Sequence, residues 1–224
     1  MSSSTKPCSV VVLISGNGSN LQAIIDDSAK HSAPYQIVAV ISSRADAYGL
    51  MRAKKAGIAS HSLDHKQFDE REKFDHALLD LIDSYSPDLL ILAGFMRILS
   101  NDFVLHYQGR LLNIHPSLLP KYQGLNTHQR ALDAGDKKHG VSVHFVTAEL
   151  DGGPVVLQAE LPILPNDNAE ALAQRVLKQE HKMYPQVIRW FAENRLSTAG
   201  NTVTLDTQVL STPLLLNTLE KTTS

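Results

Sequence analysis

The sequence is poor in cysteine and has no excess of positive charge. Its single cysteine, Cys8, excludes an intrachain disulfide and any zinc site built on several thiolates. The 21 Lys and Arg residues against 23 Asp and Glu residues give a net charge of −2, which disfavours nucleic acid as a partner. The 10 histidines include no H-E-x-x-H or other metal-ligand spacing, so we expect no metal.

Long apolar runs are also missing. No stretch approaches the roughly 20 apolar residues that span a bilayer. The start of the chain lacks the basic and apolar regions of a secretory signal. We therefore expect a cytoplasmic protein with small-molecule partners and no membrane partner, acting as a monomer or a weak homodimer.

Alternating strand-like and helix-like segments indicate an α/β fold. Hydrophobic residues make up 43% and charged residues 20% of the chain, as in an ordinary globular domain. Helical periods follow most of the strand-like segments, including one from about residue 68 to 85 and one that Ser100 can cap. The alternation predicts a mostly parallel sheet with helices on both faces. The predicted strands lie at residues 10–14, 37–41, 59–63, 89–93 and 111–114.

The pattern changes at about residue 141. Residues 141–146 and 155–161 flank a turn-rich link, which predicts an antiparallel pair added to the parallel sheet. A last helix is expected from about residue 168 to 195, with Asp167 and Glu170 in the spacing of a capping box.

These patterns divide the chain into three parts. We expect residues 1–9 to be a flexible N-terminus and residues 10–195 to form one domain. Residues 196–224 are rich in Thr, Ser and Leu and are expected to be a peripheral extension with a hairpin at about 203–210.

A glycine-rich segment follows the first predicted strand. Residues 16–20 read Gly-Asn-Gly-Ser-Asn, and Ser19 and Gln22 have the spacing of a capping box at a helix start. Backbone N–H groups at such a start favour an anion, in particular a phosphate. The segment is not a Walker A loop, and Leu21 stands where a dinucleotide fingerprint needs its third glycine. The alternative interpretation is a tight turn that only packs the helix on the strand.

A second polar segment ends the fifth predicted strand. Asn113 and His115 are two residues apart, so in an extended chain they share one face of the sheet at a spacing of about 6.6 Å. Ligands gather at the carboxyl ends of strands in open α/β sheets. An amide donor beside an imidazole is the pair that acyl transfer needs. The alternative is a polar pair satisfied by loop backbone.

Further polar residues have two interpretations each. Asp151 precedes two glycines and is either a turn former or, if it lies near His115, a catalytic group. Glu180 lies on the apolar stripe of the last helix and Arg71 extends the apolar face of its own helix, so the two either pair with each other or serve a function. His144 alternates with apolar neighbours, and we expect it to face solvent or to make a satisfied hydrogen bond.

Longer segments carry a resemblance to known enzymes. Residues 12–22 read Val-Leu-Ile-Ser-Gly-Asn-Gly-Ser-Asn-Leu-Gln, and residues 92–99 read Leu-Ala-Gly-Phe-Met-Arg-Ile-Leu. Residues 112–120 read Leu-Asn-Ile-His-Pro-Ser-Leu-Leu-Pro, and residues 150–154 read Leu-Asp-Gly-Gly-Pro. Together they resemble the phosphoribosylglycinamide formyltransferase family from about residue 10 to 195. The resemblance implies a single-domain formyltransferase-type Rossmann-like fold.

The resemblance also implies an activity and a set of site residues. The family transfers the formyl group of its cosubstrate, 10-formyltetrahydrofolate, to the amine of 5-phosphoribosylglycinamide in purine biosynthesis. Its catalytic residues fall on Asn113, His115 and Asp151. Its residues for phosphoribosylglycinamide fall on Gly18, Ser19, Asn20 and Glu180. Its residues for 10-formyltetrahydrofolate fall on Arg71, Met96, Arg97, Ile98, Leu99, Asn113, Thr147 and Asp151.

Two departures from the family pattern stand near these residues. After the Lys-Tyr pair the family usually has Pro-Gly-Leu-His, whereas Gln123 and Asn126 replace the proline and the histidine here. We expect these replacements to loosen the loop. Ser43 stands where the family more often has Asn.

Other functions stay open at this point. The nearest alternative is another transferase or a hydrolase that uses 10-formyltetrahydrofolate. A noncatalytic nucleotide-binding module or an NADP-dependent oxidoreductase is the alternative from a different class. Arg44 at the end of the second strand is compatible with NADP, although the acidic residue that binds a ribose is missing there.

Overall fold

The computed structural model describes residues 6–222, which form a large mixed sheet, a small second sheet and surrounding helices. The strands are β1 (Cys8–Ile14), β2 (Tyr35–Ser42), β3 (Ala59–Ser62), β4 (Leu89–Leu92), β5 (Leu111–His115), β6 (Lys138–Phe145), β7 (Val155–Pro162), β8 (Leu196–Ala199), β9 (Thr202–Leu205), β10 (Gln208–Val209) and β11 (Leu214–Leu215). The helices are α1 (Ser19–Ser28), α2 (Tyr48–Lys55), α3 (Arg71–Asp83), α4 (Asn101–His106), α5 (Thr127–Asp133), α6 (Ala169–Ala192) and α7 (Leu216–Thr222).

The large sheet confirms the predicted fold class. Its strand order is β11-β7-β6-β5-β4-β1-β2-β3. Strands β1 to β5 all run parallel to one another, whereas β6 pairs antiparallel with both β5 and β7. The continuous apolar run in β1 is explained by its central position, because a strand covered by helices on both faces buries every side chain.

Successive residues of the strands point into two separate cores. Val10 and Val12 of β1 pack on the face that also receives α1 and α6, and Val11 packs on the face that receives α3 and α4. The apolar stripe of α6 includes Val176 and Met183, both fully buried. Burying one such side chain stabilises the fold by roughly 1.5–3 kcal/mol. The cores on both faces therefore stabilise the large sheet and the strand ends at which the predicted site residues lie.

The helix starts differ from the predicted caps in two of three cases. Ser100 does cap α4, because its Oγ accepts a hydrogen bond of 3.3 Å from the backbone N–H of Phe103. Gly18 precedes α1 in the left-handed region and no side chain caps that helix. Asn168, rather than the predicted box, caps α6 by accepting from Ala171 at 2.8 Å.

Helices α2 and α5 are among the short helices that the sequence did not predict, and α7 is another. In α2 the buried residues are Gly49 and Ala53, and in α5 they are Thr127 and Ala131. Each of these two helices adds only one partly buried leucine, Leu50 or Leu132, to the main core. Such helices lack the wide apolar stripe from which helical periodicity is recognised.

The chain termini are more integrated than expected. Cys8 and Ser9 belong to β1 and not to a flexible segment; residues 1–5 of the predicted flexible part lie outside the described residues. After residue 195, strands β8 to β10 form an antiparallel sheet and β11 joins the large sheet beside β7. Leu196, Val203 and Leu216 are buried in the main core, so the expected peripheral extension is partly structural.

Residues 6–222 contain neither a helix that could span a membrane nor a cluster of metal ligands. No helix there is long and apolar enough to cross a membrane. No group of three or more His, Cys, Asp or Glu residues in that range has the geometry to hold a metal ion.

Candidate active site

The polar residues at the end of β5 share one face of the large sheet. Asn113 and His115 alternate with Leu112 and Ile114, which belong to the core on the opposite face. Strand β6 runs antiparallel to β5, and its register places His144 directly opposite Asn113. Because residues paired in this way project to the same face, His144 joins the two predicted residues.

Asp151 completes this group from the loop between β6 and β7. Its Oδ2 lies 3.4 Å from Nδ1 of His115, and its Oδ1 lies 3.5 Å from Nδ2 of Asn113. The carboxylate also accepts a hydrogen bond of 2.9 Å from the backbone N–H of Gly124, and only 9% of its side chain is exposed. Asp151 does lie in a turn, with a φ of 49°, but its side chain points to the strand residues. We call Asn113, His115, His144 and Asp151 the polar cluster.

Both ring nitrogens of His115 face oxygen atoms. Nε2 lies 2.9 Å from the carbonyl oxygen of Tyr122, and Nδ1 lies near the Asp151 carboxylate. A carbonyl and an ionised carboxylate only accept hydrogen bonds. The hydrogen bond from Nε2 and the 3.4 Å approach of Nδ1 to the carboxylate therefore suit the doubly protonated ring.

His144 was missed as a site residue. Its Nδ1 donates to the carbonyl oxygen of Phe145 at 2.9 Å, so its Nε2 is the unprotonated nitrogen that accepts from Nδ2 of Asn113 at 3.1 Å. Burial lowers the pKa of His144 to about 4, so the ring is neutral at pH 7. Of the two expected environments, solvent or a satisfied hydrogen bond, the structure shows the second. The neutral ring fixes which way the Asn113 amide points.

The glycine-rich residues 16–20 lie between the end of β1 and the first turn of α1. Gly18 has a φ of 73°, a conformation that glycine adopts at little cost. Ser19 is half-buried and Asn20 is buried at the start of the helix. The first N–H groups of a helix have no partner within it, so this turn presents donors and a positive dipole end to an anion.

Glu180 is connected to this turn. Its Oε2 accepts a hydrogen bond of 2.6 Å from Nδ2 of Asn20, and the residue is 8% exposed. Burial raises the pKa of Glu180, while the hydrogen bond from Asn20 opposes that rise. Glu180 does not pair with Arg71, which was one of the alternatives that the sequence left open. Arg71 begins α3 on the other face of the sheet, and its Nε lies 4.0 Å from Oε1 of Glu72.

One helical turn after Glu180, α6 is anchored to the strands that lead into the polar cluster. The hydroxyl of Tyr184 lies 2.8 Å from the carbonyl oxygen of Leu92 in β4 and 3.0 Å from that of Leu112 in β5. Both Tyr184 and the strand residues are buried. The position of α6 along the sheet is therefore fixed close to the ends of β4 and β5.

Apart from Asn113 and Asp151, which belong to the polar cluster, the predicted folate residues lie on surface segments. Met96 and Ile98, in the loop after β4, are 68% and 62% exposed, and Arg71 is exposed at the start of α3. Thr147 is half-buried in the loop that leads to Asp151. These residues are not joined to one another by side-chain hydrogen bonds among residues 6–222, so the structure presents them as parts of an open surface.

A short hydrogen-bond chain joins the Met96 loop to the glycine-rich turn. The backbone N–H of Met96 donates to Oγ of Ser15 at 2.8 Å, and the Oγ atoms of Ser15 and Ser43 are 2.7 Å apart. Ser15 and Ser43 are both buried. Ser43, one of the two departures from the family pattern, thus contributes to holding the Met96 loop.

The other departure lies in the loop that covers His115. The carbonyl oxygen of Gln123 accepts a hydrogen bond of 2.6 Å from Arg130, and the hydroxyl of Tyr122 donates to Asp136 at 2.8 Å. Asn126 precedes α5 in the left-handed region with a φ of 58°. Asparagine tolerates this conformation better than most residues do, which suits it to this position.

Comparison with known proteins identifies the family. Residues 8–188 match the formyl transferase family. The chain is 58% identical over 201 residues to the phosphoribosylglycinamide formyltransferase of Escherichia coli (strain K12), covering 90% of this chain and 95% of that enzyme. The solved structure of the phosphoribosylglycinamide formyltransferase from Coxiella burnetii is 54% identical, with a TM-score of 0.90 over 94% of this chain and 99% of that one. The solved structure of glycinamide ribonucleotide transformylase 1 from Symbiobacterium toebii is 44% identical, with a TM-score of 0.87 over 91% of this chain and 99% of that one. The chain therefore belongs to the formyl transferase family.

Proposed function

We propose that this protein transfers the formyl group of 10-formyltetrahydrofolate to the amine of 5-phosphoribosylglycinamide. The observation that carries the proposal is the convergence of Asn113, His115 and Asp151, with both His115 and Asn113 within 3.5 Å of the carboxylate. An amide donor, an imidazole and a carboxylate in one buried group are suited to acyl transfer. Membership of the formyl transferase family supports the same reaction.

In the proposed reaction Asn113 and His115 stabilise charge. The neutral amine forms a bond to the formyl carbon, and the formyl oxygen gains negative charge in the tetrahedral adduct. The Nδ2 hydrogens of Asn113 face His144 and Asp151, so Asn113 exchanges its 3.5 Å contact with Asp151 for a hydrogen bond to that oxygen. The protonated His115 donates a second hydrogen bond to it. Donors held in place in this way typically contribute roughly 10²–10³ in rate each.

Asp151 orients His115 and transfers protons in the proposed reaction. Its carboxylate holds His115 in the orientation and charge state that the oxyanion needs. It also accepts the proton released by the attacking amine, through a water molecule, and returns one to the departing nitrogen when the bond between that nitrogen and the formyl carbon breaks. No net proton is consumed.

The loop over His115 takes part in this proposal. Nε2 of His115 donates to the carbonyl oxygen of Tyr122, so this hydrogen bond must be exchanged for one to the formyl oxygen. The loop is also attached to Asp151 through the N–H of Gly124. We infer that donor binding displaces Tyr122 and leaves Asp151 in place.

Two regions hold the substrates in this proposal. The N–H groups of residues 18–20 bind the phosphate of the acceptor, and the buried carboxylate of Glu180 accepts hydrogen bonds from its glycinamide end. The exposed apolar side chains of Met96, Ile98 and Leu150 offer a surface for a flat heteroaromatic ring. We propose that the folate lies there, near Arg71, whose guanidinium suits the carboxylates of its glutamate tail.

The proposal also covers the cellular location, the oligomeric state and the partners of the enzyme. We propose a cytoplasmic protein, monomeric or weakly dimeric, that acts on small molecules without a metal, nucleic acid or membrane. The net charge of −2 supports this. We also propose that residues 10–195 form the catalytic domain.

A two-substrate assay tests the function. Purified protein with 10-formyltetrahydrofolate and 5-phosphoribosylglycinamide is followed by the change in folate absorbance on loss of the formyl group, and the formylated acceptor is identified by mass. We expect turnover only when both substrates are present. Folate turnover without the acceptor would indicate a hydrolase. Binding of NADPH, with no binding of a folate analogue, would support the oxidoreductase instead.

A further inference from the structure

Helix α2 packs directly against the glycine-rich turn. The N–H of Gly49 donates to the carbonyl oxygen of Gly16 at 3.1 Å. A Cβ atom placed on Gly18 would lie 2.8 Å from Cα of Gly49, so the two backbones are as close as two glycines permit. The geometry of the turn therefore depends on α2 as well as on α1.

Arg52, one turn further along α2, holds the same turn with its side chain. Its Nε donates to the carbonyl oxygen of Asn17 at 2.9 Å, and its Nη2 donates to Oδ1 of Asn17 at 2.7 Å. Its Nη1 donates to Oε1 of Gln22 in α1 at 3.1 Å. The guanidinium also lies 4.9 Å from the centre of the Tyr48 ring. One planar group thus joins α2, the turn and α1 through three hydrogen bonds.

The acceptors of Arg52 are uncharged. Within residues 6–222 no carboxylate lies within 4.0 Å of its guanidinium, so its positive charge is not neutralised by an ion pair. Gln22 separates it from the nearest acid of α1, because its Nε2 donates to Asp26 at 2.8 Å. Asp27, further along the helix, is already paired with Lys30 and Arg189.

Arg52 also lines a groove that begins at Ser19. The groove has a volume of about 880 Å³ and lies between α1, α2 and α6. His181 and Lys182 of α6 line it as well, and Nε2 of His181 is buried without a hydrogen-bond partner among residues 6–222. The groove is therefore lined by both cationic and acidic side chains, the acids being Asp26 and Asp27 of α1, with Arg52 on its α2 side.

We propose that Arg52 is the positioning residue that makes the glycine-rich turn selective for a phosphorylated acceptor. This inference rests on the proposed function and assigns a role to a residue outside the family's catalytic and binding positions. Arg52 holds Asn17 so that the N–H groups of residues 18–20 point at one oxyanion. Its unpaired charge adds to the field of the helix terminus and favours a dianionic phosphate over a neutral hydroxyl.

The test compares acceptors with and without the phosphate. Arg52→Met removes the charge and all three donors but keeps a long side chain; Arg52→Lys keeps the charge and loses the planar fork. For 5-phosphoribosylglycinamide we expect Arg52→Met to raise KM about 30- to 100-fold with kcat within about threefold, and Arg52→Lys to raise KM about 3- to 10-fold. For the unphosphorylated ribosylglycinamide we expect kcat/KM within about twofold of wild type in both variants.

Arg44 provides a matched control. It is an exposed arginine that pairs with Asp46 and makes no hydrogen bond to the turn. Arg44→Met changes the net charge as Arg52→Met does, and we expect it to leave both acceptors unaffected. An equal loss on both acceptors in Arg52→Met, or no change on the phosphorylated one, would overturn the proposal.

A binding measurement separates this proposal from the proposed reaction. Ribose 5-phosphate is titrated into wild type, Arg52→Met and Arg52→Lys by calorimetry, which needs no turnover. We expect Kd to rise at least 10-fold in Arg52→Met and less in Arg52→Lys, with an unchanged Tm confirming that the fold is intact. Equal affinity of wild type and Arg52→Met would overturn the role of Arg52, even if the enzyme transfers formyl groups. Absence of turnover in wild type, with this affinity difference present, would overturn only the reaction.

Discussion

Oδ2 of Asp151 lies 3.4 Å from Nδ1 of His115, although one residue belongs to a loop and the other to a strand. If the carboxylate keeps the imidazole charged and oriented, Asp151→Asn removes the charge and retains the shape. We expect kcat to fall about 10²–10⁴-fold with little change in either KM. Steady-state kinetics measure this, with the exposed Asp80→Asn on α3 as a control for loss of one negative charge. A kcat within threefold of wild type in Asp151→Asn would contradict this role.

His144 is expected to act through Asn113. Its neutral Nε2 accepts from the Asn113 amide, so His144→Leu leaves that amide free to rotate. We expect kcat to fall about 10- to 100-fold, because small misplacements of a catalytic donor are costly. His144→Gln retains an acceptor at a similar distance and is expected to lose less. Equal losses in the two variants would indicate a packing role instead.

Glu180 is expected to have two effects: its ionised side chain lowers the free energy of unfolding, and the same side chain binds the acceptor. Burial raises its pKa, so the charged form costs the folded state free energy at pH values above the pKa of the unfolded chain. Protonated Glu180 therefore stabilises the folded state relative to the unfolded one at low pH. This contribution to the free energy of unfolding is lost as the pH rises through the pKa of Glu180 in the folded state. At pH 7 we expect Glu180→Gln to be more stable than wild type, and its KM for the acceptor to rise at least 10-fold. Urea unfolding and kinetics measure the two effects; a less stable variant with unchanged KM would contradict both.

His139 is expected to make the fold sensitive to mild acid. It is buried, its Nε2 lies 3.0 Å from Nδ1 of His128, and burial together with the neighbouring His128 lowers its pKa to about 4. An unfolded histidine titrates near 6.5, so the unfolded state binds the proton first. The stability that neutral His139 contributes is complete above pH 6.5 and is lost as the pH falls towards about 4, by roughly 3 kcal/mol.

The variant His139→Gln tests this dependence. We expect its free energy of unfolding, measured in urea, to change less between pH 6.5 and 4 than that of wild type. The exposed His76→Gln on α3 serves as the control and should retain the wild-type slope. Parallel curves for wild type and His139→Gln would show that the buried histidine is not the source.

The sequence predicted the parts of the site that depend on local pattern. Asn113 and His115 share a face because strands have a period of two, and the turn at residues 16–20 follows from a buried strand leading into a helix. The role of Asp151 had two interpretations, since an acid before two glycines is also a common turn former. Only its approach to His115 decides between the two interpretations.

The sequence did not predict the parts that depend on pairing or on small residues. His144 joins Asn113 through the antiparallel register of β5 and β6, and no local pattern encodes that register. Arg52 lies on α2, which the sequence did not predict because the buried positions of that helix, Gly49 and Ala53, form no apolar stripe. Both residues act on functional groups from neighbouring elements, and such contacts become visible only in three dimensions.

The most direct test of the account is the turnover of Asn113→Ala and His115→Ala, measured together with the affinity of each variant for both substrates. The account predicts that kcat falls about 10²–10³-fold in each variant while both Kd values stay within about threefold of wild type. A near wild-type kcat in either variant would contradict the claim that these two side chains stabilise the oxyanion of formyl transfer.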